Sequence, residues 1–158
     1  MDGYKALGAW QAAKDLCLNT LAATENISSR RTWAVTDQLR RAVISVDVNI
    51  VEGYALGTAP LFRRHLRIAL GSAAEAERLL QIASERGYLP PDMAESLNRL
   101  ADLTIRRLYG LLRSPHLPVR SEPSRRPRPA SGADATHGRN KTTADSGGRA
   151  RPIGEPGG

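Results

Sequence analysis

The sequence predicts an all-α protein: an antiparallel up-down-up-down four-helix bundle with a disordered C-terminal tail. Three observations carry that reading. Apolar residues recur at steps of three and four through successive segments, the spacing that lines one face of a helix. The breaks between these segments are short and rich in Gly, Pro and Ser, so neighbouring helices have to run antiparallel. Near residue 115 the composition changes: seven of the ten prolines lie at Pro115 or later, and no aromatic residue follows Tyr109. Such a stretch cannot bury a core, so residues 1–114 read as the bundle and residues 115–158 as a disordered Pro/Gly/Arg-rich tail.

The first helix is expected over residues 6–24, with Trp10, Ala13, Cys17 and Leu21 on one face. Arg30, Arg31, Thr32 and Trp33 follow the first loop, and Trp33 is expected to cover one end of the bundle. The second helix starts near Ala34, buries Leu39, Val43, Val46 and Ile50, and stops between Gly53 and Leu56. Thr58 as N-cap and Pro60 in the first turn open the third helix, which Gly87 ends. Its Gly71, Ser72, Ala73 and Ala74 form a small-residue patch that permits close helix approach or is simply tolerated there. The fourth helix begins at Pro90-Pro91-Asp92 and ends near Ser114-Pro115.

The second helix also carries a polar stripe, Gln38, Arg41, Ser45, Asn49 and Glu52, beside its apolar one. With the following turn centred near residue 56, antiparallel pairing sets residues opposite whose numbers sum to about 113. Gln38 then faces Glu75, Arg41 faces Ser72, Asn49 faces Arg64, and Glu52 comes within reach of Arg64 or His65. The expected network pairs Arg41 with Glu75 and Glu52 with Arg64, a seam that fixes register more than it adds stability. The other readings are a ligand site, or polar side chains that bond locally or reach water.

The same residues carry a family resemblance. Gln38-Leu39-Arg40-Arg41-Ala42, Ser45 and Asn49-Ile50-Val51-Glu52-Gly53, then Leu70-Gly71-Ser72 with Glu75, and Trp10 in the first helix, resemble the motifs of the bacterial four-helix-bundle proteins encoded in intervening sequences of 23S rRNA genes. The resemblance covers roughly residues 4–113. Val46-Asp47-Val48 departs from it, where the family often has a Pro before the Asn. The accessory protein of diversity-generating retroelements is related. The resemblance implies a ring-shaped homopentamer, an inferred nucleic-acid role and no known catalysis. With no signal-peptide pattern at the N-terminus and no apolar run near the roughly 20 residues of a membrane span, the bacterial cytoplasm is the expected compartment.

Charge and chemistry narrow the function. The net charge is +7; residues 1–115 hold 15 basic and 12 acidic residues, and the remainder holds 8 and 4. The balance favours an anionic partner such as RNA or DNA. Candidate contacts are Arg30, Arg31, Arg40, Arg63, Arg67, Arg106 and Arg107, with Arg64 beside them; guanidinium groups suit phosphates. The single cysteine excludes an internal disulfide and a zinc cluster, and His65, His116 and His137 lack metal-ligand spacing. There is no phosphate-binding glycine loop, no di-iron Glu-x-x-His pair, and no His near Ser45 or Ser72 at a triad's height. Glu52 and Glu75 lie roughly 20 Å apart along facing helices, too far for paired carboxylate chemistry. No cofactor and no membrane contact are expected. The sequence therefore reads as a non-enzymatic oligomeric bundle that binds nucleic acid through basic surfaces, or as a protein–protein adaptor such as an accessory subunit of a reverse transcriptase.

Overall fold

The computed structural model describes residues 3–27 and 29–119. A short 3-10 turn, Gly3–Ala6, leads into α1 (Gly8–Thr24), followed by α2 (Trp33–Ala55), α3 (Ala59–Glu85) and α4 (Pro91–Arg113). Packing joins α1 to α2, α2 to α3, α3 to α4 and α4 back to α1, which closes an antiparallel four-helix bundle. The described residues contain no strand.

Two apolar clusters fill the interior. Towards the end that carries the α1–α2 and α3–α4 loops, Leu16, Leu39, Val43, Leu80, Leu89 and Leu97 meet. Towards the other end, Val46, Ile50, Phe62, Leu66 and Leu108 meet. Buried alanines, among them Ala13, Ala42, Ala69, Ala73, Ala76, Ala83 and Ala101, stand where helices touch and let the backbones come close. Cys17 belongs to the first cluster; burial, then the nearby Asp47 charge, push its thiol above the ordinary value, so it packs as a small protonated side chain.

Glycine matters at three positions. Gly53 lies inside α2, and its backbone rests on α3: a Cβ there would stand 2.6 Å from the His65 Cβ and 2.9 Å from the Phe62 Cδ2. Gly57, at φ 74°, makes the left-handed turn between α2 and α3. Gly87, at φ 65°, closes α3: its N–H donates to the Ser84 carbonyl and the Tyr88 N–H donates to that of Ala83 at 2.8 Å, a Schellman motif.

Two details differ from expectation. Trp33 does not cover the bundle end; it is 57% exposed at the first position of α2. The chain also keeps packing after α4 ends: Leu117 joins the second cluster, with Val119 beside it. The rest of the expected tail, residues 120–158, lies outside the described residues.

Gly53→Ala should lower stability by about 1–3 kcal/mol, because α3 has to move to admit the methyl group; equilibrium urea unfolding measures it, and an unchanged midpoint would show that α2 and α3 are not in close contact there. A chain ending at residue 119 should melt with the full-length protein, whereas one ending at 114 loses the Leu117 contact and should melt several degrees lower.

Candidate functional site

The polar seam lies between α2 and α3. Gln38 donates from Nε2 to the Glu75 Oε1 at 2.8 Å. Farther along, the Ser45 and Ser72 hydroxyls meet at 2.9 Å. Asn49 donates from Nδ2 to the Ser45 carbonyl at 2.8 Å and to the Ser45 Oγ at 3.2 Å. A carbonyl can only accept, so this orientation turns the Asn49 Oδ1 towards the His65 Nδ1, 3.1 Å away. His65 therefore carries its proton on Nδ1 and donates it. The Glu52 Oε2 faces the same nitrogen at 3.7 Å. Ser72, Ser45, Asn49 and His65 form one hydrogen-bonded chain across two helices, with Glu52 at its open end.

The pairing inside the seam differs from the sequence expectation. Gln38, not Arg41, holds Glu75. Arg41 instead donates from Nε to Asp37 one turn earlier on its own helix, at 3.0 Å, and its side chain is 71% exposed. Arg64 is exposed and Glu52 faces His65 in its place. A carboxylate at i−4 meets an arginine with less side-chain ordering than one on a neighbouring helix. His65, weighed in the sequence only as the alternative partner of Glu52, is the residue that takes that place in the seam. Asn49 stands between it and Ser45, so the chain does not make a serine–histidine nucleophile pair.

The candidate binding arginines divide into three groups. Arg40 and Arg63 are half-buried helix caps. From α2, Arg40 donates from Nε to the Thr24 Oγ1 at 2.9 Å and from Nη2 to the Thr24 carbonyl, at the C-terminus of α1. From α3, Arg63 donates to the Leu112 carbonyl at 2.6 Å and the Ser114 carbonyl at 2.8 Å, at the C-terminus of α4. Both satisfy carbonyls that a helix end leaves without partners, and their charge suits the negative end of the dipole. They are structural, which corrects their reading as nucleic-acid contacts. Arg106 is paired with Asp102 one turn away. Arg30, Arg31, Arg67 and Arg107 are exposed and have no carboxylate partner among the described residues.

Acidic side chains gather elsewhere. Glu77, Glu85, Glu95 and Asp102 line an open recess between α3 and α4. Arg99 and Arg78 partly neutralise it through Glu95 at 2.6 Å and Glu85 at 3.4 Å. At the loop end, Arg86 and Arg31 act on the Tyr88 hydroxyl through hydrogen bonding and charge, and hold the phenol below its ordinary value. Arg86 and Tyr88 were missed by the motif reading; their place on either side of the C-cap Gly87, facing the Arg30–Arg31 loop, was the available signal.

Between α1 and α2, the Asp47 Oδ1 and the Trp10 Nε1 are buried and close to one another, but not at full hydrogen-bonding geometry. Burial raises the Asp47 carboxyl above the ordinary value, against smaller opposing effects of Trp10 and Lys14. Among the described residues no group of acidic, His or Cys side chains could hold a metal ion. No helix there is long and apolar enough to cross a membrane.

These features define an all-α bundle whose polar motifs tie helices together. The chain belongs to the 23S rRNA-intervening sequence protein family, which matches residues 5–110. Among solved structures it is similar to a protein of unknown function from the S23 ribosomal protein family of Bacteroides thetaiotaomicron, with TM-score 0.62 and 19% identity over 67% of this chain and 99% of that one. That likeness shows the fold. No curated protein matches the chain.

Asn49→Ala should cost about 1–2 kcal/mol, because it strands the His65 Nδ1–H while the Ser45 hydroxyl keeps Ser72. Arg41→Ala should stay within about 0.5 kcal/mol, as its surface pair is weak. Urea unfolding separates the two, and equal losses would contradict the pairing described. Because folding raises the Asp47 pKa, the native state holds that proton more tightly than the unfolded chain. Its contribution is intact below the ordinary value of 3.8 and is lost as pH rises through the raised one. Asp47→Asn should therefore raise the melting midpoint at neutral pH, with the gain vanishing in acid. A gain that instead grew in acid would reverse the sign.

Proposed function

We propose that this protein is a non-enzymatic, self-associating bundle of the bacterial cytoplasm that contacts the phosphate backbone of RNA or DNA. The observation that carries the reading is the set of exposed arginines without carboxylate partners among the described residues: Arg30, Arg31, Arg64, Arg67, Arg86, Arg107 and Arg113. Arg64 and Arg67 stand one turn apart on α3, and the acidic recess between α3 and α4 leaves anions the other surfaces. The family description, which names 23S rRNA intervening sequences, agrees with an RNA partner. Backbone contacts give affinity without strong sequence preference, and several copies in a ring, five by the family resemblance, would multiply it.

A second reading, the protein–protein adaptor, has its own support. Ile44 and Val48 on α2 and Ile68 on α3 are each 43% exposed beside the seam, and Leu61 and Leu56 extend the strip. An apolar strip of this kind suits a second copy or another protein.

Arg64→Ala with Arg67→Ala should leave stability within about 0.5 kcal/mol. The same change should flatten the log–log salt dependence of duplex binding by up to about 1.8, at roughly 0.9 per phosphate contact. Absence of any salt-dependent binding to RNA or DNA at low ionic strength would remove the nucleic-acid reading and leave the adaptor. Sedimentation should show an oligomer that Ile44→Asp with Val48→Asp dissociates; a monomeric wild type would remove self-association.

A further inference from the structure

We infer that the loop end of the bundle is a single-stranded nucleic-acid surface, on which Trp33 stacks an unpaired base and Arg30, Arg31 and Arg86 hold the flanking phosphates. This rests on the backbone-binding reading above and names its surface and its kind of strand.

The α1–α2 loop and the α3–α4 loop come together at this end. The first brings Arg30 and Arg31, then Trp33 two residues later at the start of α2. The second brings Arg86 and Tyr88 on either side of Gly87. Guanidinium groups from both loops approach the Tyr88 hydroxyl, so cations from two separate segments converge on a neutral group. Like charges held together without a counter-charge repel, and an anion relieves the arrangement. Among the described residues the neighbouring carboxylates do not supply one. Glu85 pairs with Arg78, and neither Glu25 nor Asp92 forms an ion pair with these arginines.

Trp33 supplies the second element. It is the most exposed of the large apolar side chains, at 57%, although indole is costly to leave in water. Trp10, by contrast, is half-buried, with the Tyr4 ring edge-on at 5.0 Å and the Lys14 ammonium 5.6 Å from its ring centre. An exposed indole within two residues of paired guanidiniums matches a strand that offers a base face and a phosphate at each nucleotide. A duplex hides its base faces in the stack and offers only phosphates.

The test titrates the full chain with oligouridine and oligo-dT strands of roughly 12 nucleotides, near the site size of small single-strand binders, and with a duplex of the same length. Tryptophan emission and affinity are followed at several salt concentrations. The single strands should bind more tightly than the duplex and quench the emission, and Trp33→Leu should remove that quenching. Trp33→Ala should weaken single-strand binding by about 5- to 100-fold. Arg31→Ala with Arg86→Ala, both exposed positions, should lower the salt slope by about 1.4. Duplex binding as tight as single-strand binding, or variants that bind like wild type, would overturn the assignment of this end and leave the backbone reading standing. Polyglutamate that quenches Trp33 as well as the oligonucleotides do would also overturn it, in favour of an acidic protein partner. No binding to any nucleic acid would sink both readings.

Discussion

At Gly53 the backbone of α2 lies against the Phe62 and His65 side chains of α3, with no room for even a methyl group between them. That close approach pins the register of the two helices. With it fixed, Gln38 reaches Glu75, Ser45 reaches Ser72, and Asn49 reaches His65. A slip of one helical turn would separate all three pairs and leave Ser45, Ser72, Asn49 and His65 half-buried without partners, which costs more than the bonds themselves contribute. The apolar core would tolerate several registers of leucine and alanine; the glycine and the polar chain select one.

The ends of the helices impose a second constraint. The last carbonyls of α1 and α4 need donors, and long side chains from the neighbouring helix supply them: Arg40 at one end, Arg63 at the other. Each cap ties two helices together. The arginines that remain are on the outside, and their positions follow from the bundle rather than from any binding motif. Arg64 and Arg67 lie on the exposed side of α3, whereas Arg30, Arg31 and Arg86 meet at the loop end because the topology brings those two loops together.

Much of the fold was readable from residue patterns. Helix boundaries fall within about two residues of the expected ones because Gly57, Gly87 and the prolines punctuate the chain through backbone geometry, which acts locally. What the sequence concealed depended on the third dimension. Arg40 and Arg63 read as surface cations, since nothing in their own helices says that a neighbouring helix terminates at their level. Arg41 was matched to a partner across the seam although Asp37 stood one turn away. Trp33 reads as a cap by its size, yet the first position of α2 points it outward. Leu117 is a lone apolar residue among prolines, and composition cannot show that it lands on the core. The family motifs lie along the contact between α2 and α3, where Gln38, Ser45 and Asn49 find partners, while His65, outside those motifs, closes the far end of that chain.

The proposed function divides the labour: the seam between α2 and α3 ties those helices together, and exposed arginines would make the contacts with nucleic acid. Nuclear magnetic resonance of isotopically labelled protein, titrated with a short oligonucleotide, tests it residue by residue. The account predicts that signals of the arginine side chains, the Trp33 indole and the loop-end amides shift, while Ser45, Asn49, His65 and Ser72 stay in place. Largest shifts along the seam would contradict it, and would make the hydrogen-bonded chain the ligand site.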